Sequence, residues 1–171
     1  MTFSALLDLS KMTLEQRDVH FMREALKEAE IAYKKEEVPV GAVLVHKNKV
    51  IARGHNQVEL LQDATAHAEM VCLTGGAGVL ENWRLTDTTL YCTLEPCCMC
   101  AGALLASRVK RLVWAAPDVR LGANGSWIDL FTQKHPMHTL EITSRVLEAE
   151  AADLMRRFFQ EKRKKKRSDE E

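Results

Sequence analysis

His67 and Glu69 stand two apart in T-A-H-A-E (65–69), and further along the chain Cys97 and Cys100 stand three apart in E-P-C-C-M-C (95–100). One imidazole and two thiolates are donors of the kind that hold zinc, and three protein ligands leave a fourth position to water, as in catalytic zinc sites. Zinc lowers the pKa of such a water towards ~7, and a carboxylate within hydrogen-bond reach can take one of its protons and deliver it elsewhere. The set reads as a hydrolytic centre: one Zn2+ per chain on His67, Cys97 and Cys100, with Glu69 moving the proton. A closed structural zinc site would need a fourth ligand. Cys98 would point ~100° away from Cys97 on a helix, and Cys72 and Cys92 lie in apolar stretches where a free cysteine is usually core.

Two helix starts must bring these residues together. Pro96 suits the first position of a helix opening C-C-M-C-A-G-A-L-L-A, which would put Cys97 and Cys100 one turn apart on one face, at an end whose N–H groups favour thiolate. Thr65 is the expected N-cap of a second helix through A-H-A-E-M-V-C-L, with G-G-A-G (75–78) ending or interrupting it. In a helix interior, residues two apart point ~200° from each other. His67 and Glu69 can share a target only in the first turn, the longer Glu69 reaching the water without ligating the metal.

Around these, the periodicity predicts a helix over 13–35, opened by Thr13. Strands are expected at 38–45 and 50–56, joined as a hairpin by the polar H-K-N-K, at 88–94 and 111–116, and more weakly at 139–143. Residues 117–136 are rich in turn formers, and a last helix begins at 147. Helices alternating with buried-looking strands predict an α/β fold with a sheet covered on both faces.

The 171 residues, 46% of them hydrophobic, suit one domain, and no internal repeat is present. No apolar run approaches the ~18 residues of a membrane-spanning helix, and the N-terminal stretch has neither the basic region nor the cleavage site of a secretory signal. Five cysteines, three of them within 97–100, fit a metal site in a reducing compartment better than a disulfide framework, so a cytoplasmic location is expected. The zero formal net charge hides the basic run K-R-K-K-K-R (162–167), followed by an acidic ending. Residues 1–161 are expected to form the domain and 162–171 a disordered tail.

Together, T-A-H-A-E and L-E-P-C-C-M-C-A-G-A resemble the H-x-E and P-C-x-x-C signature of the zinc-dependent nucleoside deaminases. E-E-V-P-V-G-A-V-L-V, G-H-N, N-W-R-L and D-V-R-L-G-A-N-G-S extend the likeness over nearly the whole chain, closest to the tRNA adenosine deaminases of the TadA type. The resemblance implies a three-layer α/β/α cytidine-deaminase-like fold with a central mixed five-stranded sheet, and a homodimer. It implies water attack at C6 of adenine, releasing ammonia and leaving inosine at the wobble position of a tRNA anticodon stem-loop. By the same likeness Asn56 contacts the base, Val38 and Val40 line the pocket, the Ala66 N–H touches the base, and Asp118 lies near the substrate backbone. Pro117 and Cys98 depart from the family's commoner residues.

Phe158 and Phe159, with Lys162 and Arg163 of the basic run, combine aromatic faces with positive charge, as single-stranded RNA recognition requires. A free-base or nucleoside deaminase acting on cytosine or guanine would share the zinc chemistry without needing such an end. A non-catalytic zinc-binding subunit would have no use for Glu69.

Overall fold

The computed structural model describes residues 8–169; the first seven residues, which carry the expectation of no secretory signal, and the final two glutamates lie outside the described residues. After a 3-10 turn at Leu9–Lys11, helix α1 (Leu14–Lys34) opens with a capping box. The Gln16 N–H donates to Thr13 Oγ1 (3.2 Å) and the Thr13 N–H to Gln16 Oε1 (2.9 Å), satisfying two otherwise orphaned donors. Its buried stripe is Phe21, Met22, Ala25, Ala29 and Ala32.

Strands β1 (Gly41–His46) and β2 (Lys49–His55) form the expected hairpin. Lys47 and Asn48 both take positive φ, 48° and 59°, the combination that lets a two-residue turn follow the strand twist. Strand β3 (Thr88–Leu94) pairs antiparallel to β1, β4 (Arg111–Ala116) parallel to β3, and β5 (Glu141–Thr143) parallel to β4. The mixed five-stranded sheet runs β2-β1-β3-β4-β5.

Because successive side chains leave opposite faces of a strand, the central strands split their apolar residues between two cores. Ala42, Leu44, Leu90, Cys92, Leu112 and Trp114 face helices α3 (Ala68–Leu80) and α4 (Cys98–Ala106). Val43, Val45, Tyr91, Val113 and Ala115 face α1 and α5 (Glu148–Asp169). The three layers of the α/β/α expectation are present.

Four local expectations change. Thr65 does not cap α3; its hydroxyl donates to Asp63 Oδ1 (2.8 Å) in the preceding turn, and His67 is the N-cap. The glycines do not end α3 either: a Cβ on Gly76 would run into Leu44, so the residue's smallness lets the helix lie close on β1 and tertiary packing overrides propensity. Cys97, not Pro96, is the position from which α4 starts. Lastly, the basic run is not a disordered tail but the last turns of α5, described to Asp169. Lys and Arg are good helix formers and suit the negative end of the helix dipole, and Lys165 pairs with Glu36 beyond the end of α1.

That docking also decides Phe158. It is 6% exposed and packs edge-on against Tyr33 of α1 at 5.6 Å between ring centres, so it belongs to the α1–α5 seam and offers no face to RNA. Phe158→Ala is expected to cost about 3–5 kcal/mol in denaturant unfolding, as for other large core truncations, with zinc content unchanged.

Candidate active site

β1 runs antiparallel to both of its neighbours, and β4 parallel to β3. The carboxyl ends of β2, β3 and β4 therefore share one edge of the sheet with the entry to β1. Asn56 follows β2, Glu95 to Cys97 follow β3, Asp118 follows β4, and Val38 and Val40 precede β1. The N-termini of α3 and α4 open at the same edge, the usual crevice for a ligand in an α/β sheet.

His67 and Cys97 are the N-caps of α3 and α4, with extended backbones (φ/ψ −73°/152° and −73°/172°). That removes the ~200° conflict of an ideal helix: His67 stands outside the helical wheel, and Glu69 is the second helical residue. His67 Nδ1 lies 3.6 Å from Cys97 Sγ and 3.5 Å from Cys100 Sγ, and the three ligand atoms are within 4.8 Å of one another. One imidazole and two sulfurs converging from two positive helix ends fit a zinc ion.

The electrostatics agree. The Cys97 thiol is pushed down to about 4, first by the hydrogen bond from Cys100 and then by His67, while the Cys100 thiol is pushed up by the Cys97 sulfur beside it and by burial. The hydrogen bond with Cys97 raises His67. Glu69, 3% exposed, is pushed up by burial, as suits a group that must carry a proton as well as release one. Cys72 and Cys92 are fully buried core residues, as expected, and Cys98 is half-buried outside the cluster.

His67, Glu69 and Cys97 line a cavity of about 210 Å³ together with Val38, Val40, Asn56 and Asp118. Asn56 Nδ2 donates to Glu37 Oε2 (3.1 Å). Asp118 Oδ1 accepts the N–H groups of Arg120 (3.1 Å) and Leu121 (3.3 Å). Ala66 departs from expectation: its N–H donates to the Asp63 carbonyl (3.1 Å), and it is absent from the cavity wall. The turn that presents His67 has already used that donor.

A second groove shares Leu94, Asp118, Arg120 and Met155 with the cavity and continues past Arg156, Phe159 and Arg163. The Arg120 guanidinium stands 5.9 Å from the centre of the Phe159 ring. Phe159 and Arg163 thus adjoin the site, whereas exposed Lys162 lies 5.5 Å over the Phe158 ring and lines neither cavity.

Two buried carboxylates escaped the sequence reading. Glu37 accepts from Asn56 and from the backbone of Glu59 (3.3 Å) and Leu60 (2.7 Å) in the short helix α2 (Val58–Leu61). Glu95 accepts the N–H groups of Asp118 (3.1 Å), Asn124 (2.8 Å) and Ser126 (3.3 Å), and the Ser126 hydroxyl, tying the loop after β4 across the zinc-site segment. Gly122 gives it room, since a Cβ there would strike the Glu95 carboxyl. Each acid abuts an apolar strand segment, V-P-V or T-L, where an unpaired charge is costly; that was the available signal.

The description "cytidine and deoxycytidylate deaminase zinc-binding region" matches residues 15–116. A tRNA-specific adenosine deaminase of Bacillus subtilis (strain 168) is 45% identical over 152 residues, covering 89% of this chain and 94% of that protein. A chloroplastic tRNA(adenine(34)) deaminase of Arabidopsis thaliana is 54% identical over 168 residues, 88% of this chain, which spans only 13% of that protein. A chain solved in a study of A-to-I editing by tRNA:A34 deaminases at the wobble position superposes with a TM-score of 0.76 at 42% identity, over 79% of this chain and 98% of that one. On this match and these identities, the chain belongs to the cytidine and deoxycytidylate deaminase family, named for its zinc-binding region.

Proposed function

We propose that this protein hydrolytically deaminates adenosine to inosine at the wobble position of a tRNA anticodon. The observation that carries the reading is the cavity of about 210 Å³ lined by Glu69 and by His67 and Cys97 of the metal-ligand cluster, with Cys100 buried beside them, opening into a groove of arginines and Phe159. The cavity suits one extruded base, and the groove suits the strand around it. The relatives named above are tRNA adenosine deaminases, and this supports adenine over cytosine.

His67, Cys97 and Cys100 would hold the zinc, whose chemistry when bound is to bring a water molecule's pKa towards ~7 and make it nucleophilic. Glu69 takes a proton from the attacking water as oxygen bonds to C6, and delivers it to N1 of the ring. It then carries the remaining hydroxyl proton to the amino group, the C6–N bond breaks, and ammonia leaves as C6 becomes a carbonyl. Water and adenosine in, inosine and ammonia out, balances without a further reactant. Asn56 places the base by its carboxamide, Val38 and Val40 grip its faces, and Asp118 sits where the base joins its strand.

Phe159, Arg120 and Arg163 are assigned to the flanking nucleotides. Arg120→Gln with Arg163→Gln is expected to raise the Michaelis constant for tRNA and to flatten the dependence of log affinity on log salt by about one for each phosphate that is no longer neutralised. Turnover at saturation should stay nearly constant, because these arginines hold ground and transition states alike. An unchanged salt slope would remove the groove from RNA binding.

Exposed Leu121, Trp127 and Ile128 lie in the loop after β4, and Leu60 and Leu61 in α2. They support assembly as a homodimer, which sedimentation would test. Thiols stay reduced most readily in a reducing compartment, and the cytosol is the proposed one; no helix among the described residues is long and apolar enough to cross a membrane.

The deciding experiment is inosine analysis of tRNA and of an anticodon stem-loop incubated with the zinc-loaded protein, beside free adenosine, cytosine and guanine. Inosine formed in the stem-loop supports the reading. Turnover confined to a free base would replace it with the free-base alternative.

A further inference from the structure

We infer that Glu37 is a positioning residue: its buried carboxylate locks the carboxamide of Asn56 in one orientation at the cavity wall, and recognition of the base depends on that lock. The inference rests on the reading of Asn56 as the base contact.

Glu37 is 1% exposed and Asn56 7%. The carboxylate accepts three hydrogen bonds, from Asn56 Nδ2 (3.1 Å), the Glu59 N–H (3.3 Å) and the Leu60 N–H (2.7 Å). It is anchored from behind, where the Glu37 N–H donates to the Ala32 carbonyl of α1 (3.0 Å). Asn56 is anchored too, its own N–H donating to the Val40 carbonyl (3.0 Å). Both residues line the cavity that Glu69, His67 and Cys97 also line.

An ionised carboxylate only accepts, whereas a carboxamide donates from one end and accepts at the other. Turning the Asn56 amide over would set its oxygen against a carboxylate oxygen in a buried site, where unpaired acceptors are costly. Asn56 therefore meets the cavity with donor and acceptor in a fixed order. Without the carboxylate, either order becomes accessible, and a fraction of the protein meets each substrate with the wrong one. The backbone bonds to Glu59 and Leu60 hold Glu37 against α2, so the lock is rigid before substrate arrives. This is preorganisation, which appears in binding and turnover efficiency.

The test is a double-mutant cycle in the zinc-loaded full chain, with kcat/KM measured on an anticodon stem-loop alongside zinc content and melting temperature. Asn56→Ala is expected to lower kcat/KM by about tenfold or more and Glu37→Gln by about twofold, the loss when the two amide orders become equally populated, and the double variant to fall no further than Asn56→Ala alone, since residues acting through one contact are not additive. Zinc content should stay at one per chain in all three. If Glu37→Gln fails to fold, Glu37→Asp keeps the charge, draws it back from Asn56 by one methylene, and should show the same non-additivity. Losses that multiply in the double variant would mean that Glu37 acts through the fold and not through Asn56. Unchanged kcat/KM in a folded Glu37 variant would likewise overturn the inference. An Asn56→Ala variant with full activity would sink both this inference and the base contact on which it rests.

Discussion

Replacing Glu69 with alanine is expected to lower turnover of the anticodon substrate by ~10²–10⁴-fold, the usual worth of a positioned general acid/base, while zinc content and fold stay at wild-type levels. Glu69 sits at the second position of α3, buried beneath the cavity and outside the His67, Cys97 and Cys100 cluster. Removing its carboxylate leaves every metal ligand in place. The melting temperature should therefore fall by far less than on loss of the metal. Glu69→Gln should be as inactive as the alanine variant, because an amide fills the space but carries no proton between water and base. Zinc loss in either variant, or substantial remaining turnover in both, would overturn the assignment.

Cys97→Ser should behave in the opposite way, losing zinc first and activity with it. Even groups that only support a metal ligand are worth ~10–100-fold, so loss of a ligand itself should cost more than about a hundredfold in activity. The variant separates metal binding from helix capping. Cys97 is the N-cap of α4 and its side chain makes no capping hydrogen bond, whereas serine is among the best N-caps. Any fall in melting temperature is then due to the lost metal, which at a thousand times its dissociation constant stabilises the native state by ~4 kcal/mol. Stripping zinc from the wild type with a chelator should give the same fall, and added zinc should restore stability and activity to the stripped wild type but not to Cys97→Ser. Metal analysis and thermal melts read both outcomes. A fully active metal-free protein would exclude the zinc mechanism.

The chemistry was legible early because donor type is a property of the residue. A histidine, a Cys-x-x-Cys pair and a nearby glutamate define a zinc hydrolysis site wherever the chain folds them together, and the resemblance carried by the surrounding motifs narrowed the substrate. The five strands and α1 were legible too, because alternating and helical apolar periods reflect burial on one side of a local element. The starts of α3 and α4 were not. Thr65 and Pro96 carry the right local signals for caps, but α3 and α4 begin at His67 and Cys97, where two helix ends converge on the metal site.

Tertiary packing decided the remaining matters. Aromatic character could not say which phenylalanine faces solvent; Tyr33 takes Phe158 into the α1–α5 seam and leaves Phe159 beside Arg120. Composition made the basic run a tail, whereas docking of α5 continues it as helix to Asp169. Glu37 and Glu95 were not legible because most of their partners are backbone N–H groups 22 to 31 residues away, and a hydrogen bond to backbone leaves no mark on the partner's residue type. The sequence by itself determined which atoms could do chemistry. Only the fold decided which of them share one cavity, because proximity across strands depends on sheet order and register, and these arise from the whole chain at once.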